Sequence, residues 1–414
     1  MPNYPSTALR AWLVVGLLWV VAMLNYLDRI MIASMRESIV ASIPMTEAQF
    51  GLLTSAFLWV YAGLSPLAGY MADRLGRSRV IVASLLVWSL VTWLTTMAYS
   101  FHGLVAARAL MGISEACYLP AALALIADYH RGSTRSLATG IHITGLYVGS
   151  ALGGVGGIMA EHLGWRFGFT LFGVIGVIYA VVLALLLRDV KDEPSPVLQE
   201  AQPQPKGEHI GLLDAMLALL RQPAFLILLV IFALFSLVNW CILQWLPTYM
   251  QEHFHLSQSA AGPAASVPNQ MGGLAGILIG GFLADRWSRT NVRGRLLIPF
   301  IGTCLAGPFI VYSSTTSMLP MAVLGFGIYG AGKGFCDANW MPVLCQIADR
   351  RYRATGYGVM NLLSCLVGGG MTYAGGALRD SGFTLGAIFQ VLGLVFFAGG
   401  WLFLFIRPRR ELEA

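Results

Sequence analysis

The chain has 414 residues, 57% hydrophobic and 11% charged, with a mean hydropathy of +0.70 and a formal charge of +6. A soluble domain carries about 25% charged residues, so a water-covered surface is excluded for a chain of this length. Long apolar runs between short Arg-rich loops account for the deficit.

Runs of roughly 20 or more apolar residues, as a bilayer-crossing helix requires, recur near 10–35, 47–72, 78–98, 101–127, 135–160, 166–188, 223–251, 261–285, 295–315, 318–347, 354–378 and 383–407. The first leads into Asn25-Tyr26-Leu27-Asp28-Arg29 rather than a small-residue cleavage site, so it reads as a retained helix. Residues 189–222 are polar, with Asp189, Lys191, Asp192 and Glu193 followed by a Pro/Gln segment, a composition that suits a flexible cytoplasmic linker. The linker separates an N-terminal six-helix bundle, 1–188, from a C-terminal one, 223–414. The expected fold class is therefore an all-α membrane protein of twelve transmembrane helices. The six cysteines fall in or beside apolar runs without CxxC spacing, which reads as buried, reduced thiols. There is no HExxH or other metal spacing, no phosphate loop and no nucleophile–base arrangement, so neither a metal site nor an enzyme is expected.

With both termini in the cytoplasm, 20 of the 26 Lys and Arg residues fall on the cytoplasmic side. Three (Arg36, Arg166, Arg379) fall opposite, and three (Arg29, Arg108, Lys333) lie within spans. That asymmetry sets the orientation and explains the basic charge without nucleic acid. After the second span stands Gly69-Tyr-Met-Ala-Asp73-Arg74-Leu-Gly76-Arg77-Ser-Arg79, and after the eighth stands Gly281-Phe-Leu-Ala-Asp285-Arg286-Trp-Ser-Arg289. The Gly, Asp and Arg positions repeat at one offset of 212 residues, the mark of two related halves.

The Gly69–Arg79 string resembles the signature of the major facilitator superfamily, and the second copy is a degraded form with Ser288 in place of Gly. Arg108-Ala-Leu-Met-Gly112-Ile-Ser-Glu115 is similar to its fourth-helix motif RxxxGxxE. The resemblance covers almost the whole chain and implies twelve helices around a central site. It makes Gly69, Asp73, Arg74, Gly76, Arg77, Asp285 and Arg286 gating rather than substrate-contacting residues. Asn25-Tyr-Leu-Asp28-Arg29, Gly112-Ile-Ser-Glu115-Ala-Cys-Tyr118, Gly164-Trp-Arg-Phe-Gly-Phe169 and Trp245-Leu-Pro-Thr-Tyr249 resemble the anion–cation symporter group, which carries sugar acids and other organic anions with protons. The first two strings also resemble the spinster group, which moves lysolipids and sphingoid lipids.

Asp28, Arg29, Arg108, Glu115, Lys333 and Asp337 are charges within spans, each costing a few kcal/mol on insertion scales unless it faces a cavity or a partner. Arg108 and Glu115, about two turns apart, share one face of their helix. Asp28 and Arg29 point in different directions; the expected arrangement pairs Asp28 with Arg108 and leaves Arg29 facing the cavity. Burial disfavours a carboxylate's charge and a guanidinium favours it, so a carboxylate between the two can bind and release a proton. By resemblance, Asp28 and Glu115 are the proton-coupling residues, with Arg108 tuning them. The planar fork of Arg29 suits a substrate carboxylate. Lys333 and Asp337, one turn apart, are either a local ion pair or a second positive contact freed when Asp337 is protonated. His142 is either a packing residue or a proton relay or ligand. Tyr26, Tyr61 and Tyr118, with Asn239, Gln244, Asn269, Gln270, Asn339 and Asn361, complete the candidate substrate set; the deep amides are interhelical glue or hydroxyl-binding groups.

The expectation is a proton-coupled symporter of an organic anion such as a sugar acid, working by alternating access, with a spinster-like lipid transporter as the alternative. It would sit as a multi-pass monomer in a bacterial-type inner membrane, with the bilayer and a small anion as partners, no nucleic acid, and no cofactor beyond the coupling proton.

Overall fold

Apolar runs of this length leave the backbone in lipid no partner but itself, so they fold as helices. A computed structural model describes residues 5–130, 134–189, 212–349 and 352–408, and among them every regular element is helical. In chain order these are α1 (Pro5–Ser34), α2 (Arg36–Ser42), α3 (Glu47–Leu75), α4 (Arg77–Leu94), α5 (Phe101–Ala116), α6 (Tyr118–Tyr129), α7 (Arg135–Leu152), α8 (Val155–Leu163) and α9 (Trp165–Leu186). Then come α10 (Leu212–Leu220), α11 (Pro223–Phe254), α12 (Gln258–Ser288), α13 (Gly294–Thr315), α14 (Leu319–Asp337), α15 (Trp340–Ile347), α16 (Arg353–Asp380) and α17 (Leu385–Gly400). Among the described residues ten helical stretches are long and apolar enough to cross a membrane. The runs near 318–347 and 354–378 are helical too, as α14 with α15 and as α16, but fall outside those ten. The outer surface is apolar where lipid would lie, with Val181, Leu278, Phe282 and Leu394 exposed.

Two spans break for one reason. Proline has no N–H and crowds the carbonyl four residues back. Pro120 therefore interrupts the fourth span at Ala116, where α5 gives way to α6, and Pro342 interrupts the tenth at Ala338, between α14 and α15. The fifth span breaks between α7 and α8 at Gly153 and Gly154 instead.

The segment read as a linker contains α10, and residues 190–211, with Lys191 and Lys206, lie outside the described residues. So do Arg131, Arg350, Arg351, Arg409 and Arg410, and the side chains of residues 66–73, Asp73 among them; Gly69 falls in that stretch. At the first repeat Gly76 has φ +89, a conformation that favours glycine. It lets α4 start at once after α3. The second copy has Ser288, and residues 289–293 make the turn. Arg77 pairs with Asp128, and Asp189 accepts from the backbone N–H (2.8 Å) and hydroxyl (2.9 Å) of Ser78. In the second half Asp285 pairs with Arg295 at 3.3 Å, and Arg286 is exposed.

Apolar packing near the Arg-rich ends of the first half forms a cluster around Val15, Leu18, Trp88 and Leu125, which Trp240 and Cys365 of the second half join. At the opposite ends one cluster runs through both halves, from Met35, Ile39 and Phe50 to Trp245 and Met250. The two halves are clasped there. Ser38 donates to Gln258 Oε1 (2.7 Å), Gln258 Nε2 to the Ser34 carbonyl (2.9 Å), and Gln251 to Glu37 (2.9 Å). A Cβ on either Gly154 or Gly262 would strike the other's carbonyl group, so this approach needs glycine at both. Thr46 and Gln49 form a capping box at the start of α3, and Asp380 from the other half accepts the N–H groups of Glu47 (3.0 Å) and Ala48 (2.9 Å). Burial works against the charge of Asp380, but these donors outweigh it and hold its carboxyl below the usual carboxylate range. Beside it Arg379 bonds Glu252 at 2.6 and 2.8 Å and Glu47 at 3.4 Å, and Glu47 also takes Arg36.

A networked pair of this kind is worth about 1 kcal/mol or somewhat more. Arg379→Ala should therefore loosen the clasp and speed amide hydrogen exchange at Glu47 and Ala48 roughly fivefold. Unchanged exchange would leave the clasp to Asp380 and the glycines.

Candidate functional site

The first cluster of buried charge lies where α1 meets α5. Arg29 Nη2 donates to Glu115 Oε2 at 2.8 Å and to Asn25 Oδ1 at 3.3 Å, the latter one turn back on its own helix. The side chains of Arg29 and Glu115 are 6% and 0% exposed. Three rings surround the guanidinium: Tyr26, Phe57 and Tyr61, with centroids 4.7, 4.6 and 5.0 Å from Cζ. Such contacts stabilise a desolvated cation. Gly112 makes the approach possible, because a Cβ there would lie 2.7 Å from the Phe57 carbonyl oxygen. The motif glycine thus seats α5 against α3, and Glu115, one turn on, reaches Arg29.

The expected pairing is corrected here. Arg29 is engaged by Glu115 rather than facing the cavity unpartnered. Arg108 Nη1 reaches the backbone carbonyl of Asp28 (3.4 Å), not its carboxylate, and Cζ lies 5.4 Å from the Phe169 ring. Asp28 Oδ2 accepts from Thr92 at 3.4 Å. All four charges are buried in one neighbourhood, as expected, but the ion pair joins the other two members. The cause is the rotation of α1, which seats Trp19 and Met23 against Gly145 and Gly149 of α7. That rotation turns the Arg29 side of the helix toward Glu115.

Phe57 and Asn25 were absent from the candidate set. Asn25 could have been found as the residue one turn before Arg29; Phe57 carried no signal in the sequence.

The second cluster lies on α14. Lys333 Nζ bonds Asp337 Oδ2 at 3.0 Å, so the local ion pair forms. Tyr147 of α7, in the other half, donates its hydroxyl to the same oxygen at 2.6 Å and accepts from Lys333 at 3.4 Å. Trp340 Nε1 donates to Asp337 Oδ1 at 3.3 Å. Tyr26, whose ring lies 4.7 Å from Arg29 Cζ, is also within electrostatic range of Asp337, and Tyr147 of the first half reaches Asp337 directly, so the two clusters are near one another.

Gln244 Oε1 accepts from Thr54 of the other half at 2.6 Å, and Asn339 donates to the Phe335 carbonyl of its own segment at 2.8 Å. Asn269 and Gln270 are buried on α12, and Asn239 and Asn361 are half-buried. Tyr118 donates to the Leu18 carbonyl at 2.8 Å, with His142 beside it, ring centroids 6.0 Å apart. Leu18 lies about 15 Å along α1 from Asp28, so Tyr118 and His142 are not brought to the charges. Among the described residues no group of His, Cys, Asp or Glu is arranged to hold a metal.

Residues 18–372 match the family description Major Facilitator Superfamily. The hexuronate transporter of Bacillus subtilis (strain 168) is 25% identical over 409 residues, covering 95% of this chain and 94% of that one. Protein spinster homolog 1 of Xenopus laevis is 26% identical over 393 residues, covering 90% and 73%. The fold matches the crystal structure of a bacterial homolog to the human lysosomal transporter spinster in an inward-facing and unoccupied conformation. The TM-score is 0.73 at 22% identity, over 98% of this chain and 95% of that one.

Proposed function

The chain belongs to the major facilitator superfamily, whose members are membrane transporters and not enzymes, and from that premise we propose that it is a proton-coupled symporter of an organic anion, a sugar acid or related carboxylate. It works by alternating access as a monomer in a bacterial-type inner membrane, both termini in the cytoplasm, as the Arg-rich loops favour.

The buried Arg29–Glu115 pair carries this reading. In this structure Glu115 occupies the fork that a substrate carboxylate would use. An arriving anion and the Glu115 carboxylate compete for one cation, and a second negative charge in that dry site is costly. Protonation of Glu115 removes the competitor. Proton and anion therefore favour each other's binding, and by linkage the effect is reciprocal. Asp28 lies beside the pair as the other proton-coupling carboxylate, the alternative seat of this proton, and Arg108, which reaches the Asp28 backbone carbonyl, tunes both acids, while the deep amides Asn269 and Gln270 suit a hydroxyl-rich cargo. The likeness to a hexuronate transporter supports the same substrate class.

A spinster-like lysolipid carrier is the second reading, favoured by the Xenopus relative and the aromatic wall of Tyr26, Phe57 and Tyr61. Proteoliposome uptake under an imposed pH gradient separates the two, with hexuronates, aldonates, monocarboxylates and lysolipids as the panel. Sugar-acid uptake that follows the gradient is expected. Proton-independent uptake, or lysolipid transport without sugar-acid transport, overturns the proposal.

A further inference from the structure

Resting on the symport reading, we propose that Lys333 is a second anion subsite, closed in the unloaded carrier by Asp337, and that the cargo is a dianion with an acidic group at each end, carried with two protons. Three observations converge on it.

The first is the repeat. Glu115 stands five residues before Pro120 in the fourth span, and Asp337 stands five residues before Pro342 in the tenth. Each acid lies at the end of the first segment of a proline-broken span. The fourth span of one six-helix half and the fourth of the other thus hold a carboxylate at the same place. The second is the pairing. Each carboxylate is bound to a cation buried within its own half, Glu115 to Arg29 at 2.8 Å and Asp337 to Lys333 at 3.0 Å. The third is position. Tyr147 crosses from the first half to Asp337, and Tyr26 lies within electrostatic reach of Arg29, Glu115 and Asp337. The two pairs face the same region from opposite halves.

The pair lies within one helix and joins no two helices by itself; its contact with the other half is the Tyr147 hydroxyl on Asp337. Here the Tyr147 bond must break when the halves separate at this level, and Asp337 is the more exposed partner, at 22% against 9% for Lys333. The carboxylate is held by Tyr147 from α7, Lys333 on its own helix and Trp340 from α15, with Tyr26 of α1, Tyr357 of α16, and Tyr329 and Cys336 of α14 as the further titratable groups within electrostatic range. Among the described residues Lys333 forms its ion pair with Asp337 alone, so a proton on Asp337 leaves the ammonium without an ionic partner. A substrate anion then replaces the carboxylate.

The charge balance follows. The unloaded site holds Arg29 and Lys333 against two carboxylates. The loaded site holds the same cations against two substrate anions and two neutral acids. Each proton binds a carboxylate oxygen from one side of the membrane and leaves the same oxygen on the other, and no covalent bond to carbon changes. The cycle moves one dianion and two protons, hence no net charge, and a membrane potential exerts no force on it.

The test uses the full chain in proteoliposomes with glucarate, a six-carbon dicarboxylate, against gluconate, its analogue with one carboxylate. With two coupled protons, about one pH unit balances a roughly 100-fold glucarate gradient. That balance should not move when a potassium diffusion potential is imposed with valinomycin. In the doubly neutral variant Lys333→Gln/Asp337→Asn the balance should fall to roughly tenfold, one proton, and the KM for glucarate should rise about 10- to 100-fold. Lys333→Arg keeps the charge and should keep two-proton coupling. One proton per glucarate in the wild type overturns the inference, as does two-proton coupling that survives in the double variant. If that variant fails to fold, the wild-type balance decides alone. Proton-driven gluconate uptake without glucarate uptake sinks this inference and leaves the symport reading standing. Uptake of neither acid with protons sinks both.

Discussion

Glu115→Gln should abolish accumulation of gluconate, the cargo with a single carboxylate, under an imposed pH gradient while leaving exchange of labelled for unlabelled gluconate. One proton coupled across about one pH unit sustains roughly tenfold accumulation, and in the variant the ratio should fall to about one. The amide has nearly the shape of the protonated acid, so Arg29 stays open to the substrate anion at every pH. Binding persists, but no proton rides with it. Stranding a buried charge ordinarily costs about 3–5 kcal/mol. Here the loss is cushioned, because Arg29 keeps Asn25 and the faces of Tyr26, Phe57 and Tyr61. Accumulation that survives in Glu115→Gln and vanishes in Asp28→Asn would move the proton to Asp28, whose carboxylate has Thr92 as its neighbour.

The spans were legible because a bilayer imposes one length and one composition on every helix that crosses it. The twofold plan was legible because the motif after the second span recurs after the eighth. Which charges lie within the spans followed from the same runs. Their pairing did not. Helical spacing put Arg108 and Glu115 on one face of α5, but it cannot say whether Asp28 or Arg29 of α1 is turned toward them. A rotation of one residue, about 100°, exchanges the two. That rotation is fixed by contacts that leave little trace in composition: Gly145 and Gly149 against the Trp19 and Met23 carbonyls, and Gly112 against that of Phe57. The Tyr147–Asp337 bond was invisible for a different reason. It joins residues 190 positions apart in opposite halves, and no periodicity within a helix reports on how two bundles meet. The prolines that break the fourth and tenth spans stood in the sequence, yet their meaning appeared only once both breaks fell just beyond an ion-paired acid.

Arg29→Lys should do the converse of Glu115→Gln: it should weaken substrate binding and leave coupling intact. The positive charge survives, so the competition between Glu115 and the substrate survives, and each anion still needs its proton. What is lost is geometry. Lysine offers one compact ammonium where arginine offers a planar fork that meets a carboxylate with two parallel bonds. It also stacks less well among Tyr26, Phe57 and Tyr61. A hydrogen bond to a charged group is worth about 1.5–3 kcal/mol, so losing one of two should raise KM about 10- to 100-fold with the proton-to-substrate ratio unchanged. Unaltered KM would move the carboxylate contact away from Arg29. The two variants together separate roles that one ion pair combines. If the guanidinium only held α1 to α5, both substitutions would lower the amount of folded carrier and neither would separate affinity from coupling. If the pair is the coupling device, one variant loses the gradient and keeps the substrate, and the other loosens the substrate and keeps the gradient.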